Sequence, residues 1–263
     1  MEYDVIKYQI NKYIKNRYFR KIFYFFLDLL ILRQWYIKRE IKKLIKKLEK
    51  EKKTFLLYDA GSGLCQYSDF VLSKYKHVKV VALDIKKDFL ETYSTSLSYE
   101  RRSRFSFYTG DLTSFSMPLE KSDIILAVDI LEHIEDDISV LKNFHKSIKD
   151  SGYLIISTPT NNNKINIDEH VRNGYSINDL TNKLNISGFE VVYSEYTYGF
   201  WGRIHWRLVM YNSIRLIKIS KIFVFFLPLY LLLILIPSLI FMWFDLIFKN
   251  KDGNGMIVVA KAL

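Results

Sequence analysis

The stretch Thr54-Phe55-Leu56-Leu57-Tyr58-Asp59-Ala60-Gly61-Ser62-Gly63 constrains this chain more than any other. A parallel strand buried on both faces requires a short unbroken apolar run, and this run stops at an acid and two glycines. Glycine lets backbone turn tightly and approach a ligand closely. The stretch therefore reads as a buried strand running into a turn that holds a cofactor.

A second apolar run, Val78 to Leu83, closes on Asp84, 23 residues past Gly61. Doubly wound nucleotide-binding folds place a ribose-binding acid there. Two strand-end acids at this spacing, Asp59 and Asp84, point to an adenosine ligand. The dinucleotide fingerprint would put a third glycine three residues after Gly63, at the start of the next helix. Gln66 stands there instead, which disfavours a nicotinamide oxidoreductase.

Asp59-x-Gly61-x-Gly63 resembles motif I of the class I S-adenosylmethionine-dependent methyltransferases, whose fuller form has a third glycine where this chain has Cys65. The resemblance continues in order through roughly residues 54 to 200. It implies an α/β fold, a doubly wound Rossmann-like sheet of seven strands, with S-adenosylmethionine as cofactor. Asp84 resembles the ribose-hydroxyl ligand, and Asp111, closing Phe105 to Leu112, the acid that bonds the adenine amine. Asp123 to Asp129 resembles the fourth strand, followed by Ile130-Leu131-Glu132-His133-Ile134. Ser151 to Pro159 resembles the next turn and strand. His170-Val171-Arg172, Tyr175 and Ile186 to Val192 fit a pattern common in small-molecule methyltransferases. The implied cofactor-binding set is Asp59, Gly61, Gly63, Asp84, Asp111 and Asp129. A strand-end aspartate also has a plainer use as a helix N-cap, and that alternative applies most to Asp111.

Methyl transfer is an in-line displacement, so positioning the acceptor supplies much of the catalysis, and a hydroxyl acceptor also needs a base. Imidazole titrates near neutral pH. His133, just past the fourth strand, and His170, in the loop that usually covers the acceptor, are the catalytic candidates; a structural role is the alternative for each. Asp129-Ile130-Leu131-Glu132-His133 also resembles a Glu-x-x-Glu-His cluster of the ubiquinone-biosynthesis O-methyltransferases that is associated with a divalent cation. Asp replaces the first Glu here, and Glu-His after this strand is widespread without metal, so no metal ligand is assigned.

The net charge of +11 is unevenly spread. Residues 1–53 carry 16 Lys and Arg against 6 Asp and Glu, residues 54–199 carry 15 against 20, and residues 200–263 carry 8 against 2. An acidic core is thus flanked by two basic segments, which could attract nucleic acid or an anionic membrane. What lies between the charges favours the membrane. Ile222 to Phe248 is apolar apart from Asp245, longer than the roughly 18 residues that mark a membrane-span candidate.

Topology limits how that segment meets lipid. Gly255 to Ala262 resembles the family's seventh strand, antiparallel beside the sixth, here about Glu190 to Tyr198. A single crossing would strand it on the wrong side of the bilayer. Residues 200–252 are therefore expected to form an inserted helical hairpin, re-entrant or interfacial, with Pro228 and Pro237 as places to bend or break it. Basic residues on both sides of the segment place its ends in the cytoplasm.

The N-terminal region also carries apolar surface. Residues 17–37 cluster aromatic and aliphatic side chains between Arg20-Lys21 and Arg33, a run too short to span and without the cleavage site of a secretory signal. Ile37, Ile41, Leu44, Ile45 and Leu48 recur at helical spacing among lysines. That stripe is expected on a membrane surface, against the sheet, or in both roles, with lysine heads toward lipid and the stripe toward protein. The single cysteine, Cys65, excludes an internal disulfide and fits a reducing cytoplasm.

The expected organisation is a basic helical region over 1–53, a methyltransferase core over 54–199, a membrane-associating insertion over 200–252 and a last core strand over 253–263. The expected activity is methylation, on oxygen, of a lipid-embedded or lipid-linked acceptor such as a prenylated quinol or lipid-linked sugar. Its partners would be that acceptor and a membrane surface with anionic lipids, at the cytoplasmic face, with no nucleic acid favoured. A nucleic-acid methyltransferase and a non-catalytic membrane-bound scaffold are the alternatives.

Overall fold

A computed structural model describes residues 2–114, 120–161 and 170–263. Its centre is one sheet of seven strands: β1 (Phe55–Ala60), β2 (Val78–Asp84), β3 (Phe105–Thr109), β4 (Ser122–Val128), β5 (Ile148–Pro159), β6 (Phe189–Thr197) and β7 (Gly255–Ala262). Their order is β3-β2-β1-β4-β5-β7-β6. β7 runs antiparallel to both β5 and β6, and the remaining pairings are parallel. Strand order reverses between β1 and β4, which opens a crevice at their carboxyl ends.

Helices cover both faces, so the central strands are apolar on both sides. In chain order they are α1 (Glu2–Ile14), α2 (Arg17–Leu30), α3 (Leu32–Leu48), α4 (Gln66–Lys74), α5 (Lys87–Thr95), the single turn α6 (Tyr99–Arg102), α7 (Asp137–Ser147) and α8 (Ile177–Ile186). On one face Leu57, Val80, Leu126 and Ile155 pack with α3, α4 and α5. On the other, Tyr58, Ile125 and Ile156 pack with α7 and α8. The stripe Ile37, Ile41, Leu44, Ile45 and Leu48 is buried within the first of these layers. Of the alternatives for that stripe the structure takes the sheet: the apolar face of α3 packs on it, and its lysines lie on the outer side. Lys42, for example, sits over the Phe70 ring.

Between β6 and β7 the chain forms α9 (Phe200–Trp206), a π-helical turn (Arg207–Tyr211), α10 (Asn212–Ile219) and α11 (Phe223–Ile247). The first three make one arm of a helical hairpin and α11 makes the other. Trp201 stacks on Phe241 with centroids 5.6 Å apart. Tyr230 donates its hydroxyl to the Leu208 carbonyl at 2.8 Å. His205 bridges Ser238 Oγ (2.7 Å) and the Leu30 carbonyl (3.1 Å). A carbonyl can only accept, so Nε2 carries the proton and Nδ1 accepts from Ser238.

The prolines do not break this segment. The turn lies at 220–222, and α11 continues through both Pro228 and Pro237. Each proline removes one amide donor, while flanking helical bonds and packing along the first arm keep the axis continuous. Because Thr197, Gly255 and Pro159 lie side by side, the hairpin leaves and re-enters at the carboxyl end of the sheet.

Asp245, the lone charge in the apolar run, fastens the hairpin. Its buried carboxylate accepts from Gly202 N (2.8 Å), Tyr198 N (3.1 Å) and Tyr36 Oη (2.8 Å). Gly202 permits this approach, since a Cβ there would lie 2.9 Å from both Asp245 and Leu32. Asp245→Ala would leave the Gly202 and Tyr198 amides unpaired, while the Tyr36 hydroxyl keeps the backbone carbonyl of residue 245 at 2.6 Å. The substitution is expected to lower unfolding stability by about 3 kcal/mol, read by denaturant titration in detergent, and a loss under about 1 kcal/mol would contradict this role.

Candidate active site

β1 ends in a turn with three left-handed residues, Gly61 (φ +68°), Gly63 (φ +51°) and Cys65 (φ +59°). Gly61 and Ser62 donate their amides to the Leu83 carbonyl, which ties the turn to β2. A Cβ on Gly61 would strike Ile130 at 2.4 Å, whereas one on Gly63 would meet nothing within 4 Å. Gly61 thus serves packing and Gly63 faces open space. Cys65 holds, at about 1 kcal/mol of strain, the conformation that a third glycine adopts without cost.

Asp84 sits at this turn. Its carboxylate accepts from Gly63 N at 2.7 Å and Lys86 N at 2.9 Å. Asp59 lies beneath the turn and accepts from Ser68 Oγ at 2.6 Å, joining β1 to α4. Burial pushes its carboxyl up to about 6, with the Ser68 bonds working against the rise. Asp111 is exposed past β3, and accepts from both Thr113 N and Thr113 Oγ1 at 2.8 Å. Those bonds hold its carboxyl below the usual range and close a local turn after β3.

Asp129 (φ +50°) closes β4. Ser157 Oγ donates to it at 3.1 Å, and Arg33, from the first turn of α3, forms an ion pair with it. Arg33 is a site residue that sequence reasoning missed, since nothing in its local pattern signals a partner on β4. α2 closes over the glycine turn, where the Tyr24 hydroxyl donates to the Leu64 carbonyl.

The two histidines come together. Their rings meet edge to face with centroids 4.6 Å apart. The cause is a stitched loop: Val171 N donates to the Glu132 carbonyl (3.0 Å), and Arg172 donates to the carbonyls of Leu131 (2.8 Å) and Ile134 (2.7 Å). Arg172 and Lys183 both pair with buried Asp137 at 3.0 Å, which anchors the loop from below. Glu132 is 1% exposed. It accepts from Thr158 Oγ1 at 3.1 Å through one oxygen, the other has no partner among the described residues, and burial raises its carboxyl. Donor atoms of Glu132, His133 and His170 lie within 4.8 Å of one another. One carboxylate and two imidazoles suit proton transfer, and they equally suit a borderline divalent cation. Asp129 is not part of this set, being engaged by Arg33 and Ser157.

The space at Gly63, with the Asp84 carboxylate beside it, fits a ligand bearing vicinal hydroxyls against a glycine turn. The raised value of Asp59 has a signed consequence. Its contribution to stability is complete below about pH 4, its ordinary range, and is lost as pH rises through about 6. Asp59→Asn should therefore flatten the fall in melting temperature across that window, and an equally steep profile in the variant would contradict the assignment.

Residues 58–154 match the family model described as a methyltransferase domain. No curated protein matches the chain. Among solved structures, phosphoethanolamine N-methyltransferase 2 from Haemonchus contortus, in complex with S-adenosyl-L-methionine, is similar at 14% identity and a TM-score of 0.57, over 85% of this chain and 52% of that one. N-methyltransferase NodS from Bradyrhizobium japonicum WM9, in complex with S-adenosyl-L-homocysteine, is similar at 12% identity and a TM-score of 0.51, over 86% of each chain. The (4+2)-cyclase SpnF is similar at 13% identity and a TM-score of 0.57, over 84% of this chain and 80% of that one. Such identities establish the fold alone, and a cyclase among the matches shows that this fold carries more than one reaction. The family match covers the glycine turn, Asp84 and the β4 end, the same residues whose geometry fits an adenosyl group. On those grounds residues 58–154 form a methyltransferase domain, similar in fold and in its glycine turn to the S-adenosylmethionine-dependent methyltransferases, with S-adenosylmethionine as the cofactor that turn fits.

Proposed function

We propose that this methyltransferase works at a membrane surface and methylates an oxygen of a lipid-embedded or lipid-linked acceptor. The observation that carries this reading is the placement of the apolar hairpin at the carboxyl end of the sheet, the end that also carries the cofactor turn. α11 is the described helix long and apolar enough to cross a membrane, and only 6% of its most apolar window is buried. Phe225, Leu229, Leu232, Leu233, Ile236 and Trp243 form its exposed face. Phe19, Ile22, Phe25 and Phe26 of α2 are exposed as well. A soluble acceptor would give no use to so much apolar surface.

Depth follows from charge. α11 is about 37 Å long at 1.5 Å per residue, enough to span. Spanning would carry Lys218 and Lys221, near the hairpin tip, through hydrocarbon. An interfacial position keeps these cations among headgroups, where anionic lipids attract them. The basic N-terminal region adds to that attraction.

When bound, S-adenosylmethionine supplies an electrophilic methyl group on a sulfonium. The chain itself must hold the acceptor in line and take its proton. His133 and His170 sit where the stitched loop meets the β4 end with the Glu132 carboxyl beside them, so one of them can accept a hydroxyl proton. If His170 is that base, His170→Ala should lower turnover by about a hundredfold and leave S-adenosylhomocysteine affinity unchanged; near-normal turnover would make it structural.

Sedimentation with vesicles containing phosphatidylglycerol tests the surface reading. The full chain should pellet, and a triple variant Leu229→Glu, Leu233→Glu, Ile236→Glu that still binds S-adenosylhomocysteine should stay in solution. A variant that pellets as well as the parent would contradict the reading. Salt-sensitive RNA binding by the same variant would favour a nucleic-acid acceptor instead.

A further inference from the structure

A groove of about 300 Å³ separates α2 from the hairpin. Phe26, Leu27 and Ile31 form one wall, Met210 and Ile214 the other, and Leu231 of α11 contributes to the lining. Ser213 is the polar residue in this lining, and its hydroxyl is already donated to the Val209 carbonyl at 2.6 Å. A polar ligand would find no partner there, whereas a hydrocarbon chain would lose nothing by entering.

The groove has two distinct ends. Phe26, Met210 and Ile214, each about half exposed, form an outer mouth continuous with the apolar faces of α2 and α11. At the inner end, α2 breaks at Ile31 (φ −117°, ψ 106°) before α3 begins. Two residues farther on, Arg33 reaches Asp129 at the end of β4. Two extended residues cover about 7 Å, so the inner end opens near the active site. The Leu30 carbonyl next to the break is held by His205, which fixes this opening against the first arm.

We propose that this groove binds the hydrocarbon tail of the acceptor, an isoprenoid or acyl chain, and feeds its polar head towards the β4 end. The inference rests on the membrane-surface reading above. It adds that the tail leaves the bilayer to lie between α2 and the hairpin, so the reacting head is placed by a buried chain as well as by polar contacts.

Titration of dansyl-labelled undecanoic acid into the full chain in detergent tests this directly. Saturable binding is expected for the parent. Leu27→Trp and, in the opposite wall, Met210→Trp should each weaken it by about tenfold or more, while S-adenosylhomocysteine binding and vesicle sedimentation stay unchanged. Absent or unsaturable probe binding by the parent, or unchanged probe affinity in both variants, would overturn the groove as a tail site even if the protein pellets with vesicles. Failure of the parent to pellet would overturn the surface reading, and the proposal with it.

Discussion

One buried carboxylate holds the two halves of this molecule together. Asp245 accepts donors from α3 (Tyr36), from the residue after β6 (Tyr198) and from α9 (Gly202), and all three lie far from it in sequence. Three donors on one carboxylate offset the cost of taking that charge out of water. Asn250 adds a second layer by donating to Tyr36 Oη and to the Tyr196 carbonyl, both at 3.2 Å. Through this node an apolar hairpin is fixed to the carboxyl end of a parallel sheet.

The consequence is geometric. A doubly wound sheet gathers its chemistry at one end, and here that end is enclosed by the N-terminal helices and the hairpin. α2 touches the glycine turn through Tyr24 and faces the hairpin with Phe23 and Leu27. α3 then begins beside Asp129 through Arg33. The same helix pair therefore covers the cofactor turn, walls the apolar groove and meets the β4 end.

Much of this was legible in the chain because a parallel strand buried on both faces leaves a continuous apolar run, and the first four runs here lead into an acid or a glycine. The turn at Gly61 and Gly63 and the acids at Asp84, Asp111 and Asp129 could be ordered without coordinates. Partners distant in sequence could not be read. Asp245 showed only as a lone charge in an apolar run, and Arg33 only as a flank of an aromatic cluster. The periodicity of Ile37 to Leu48 identified a helix face but not what covers it. Pro228 and Pro237 misdirected the hairpin's turn, because local backbone preference yielded to packing along the whole arm. His133 and His170 were each visible, but their pairing depends on Arg172 reaching the carbonyls of Leu131 and Ile134.

The most direct test of the account is to supply the full chain with methyl-labelled S-adenosylmethionine and a total membrane lipid extract, then follow the label between organic and aqueous phases. Label carried into the organic phase as a base-stable methyl ether is the predicted result. Turnover that labels only water-soluble small molecules or RNA, with the organic phase blank, would contradict a lipid acceptor.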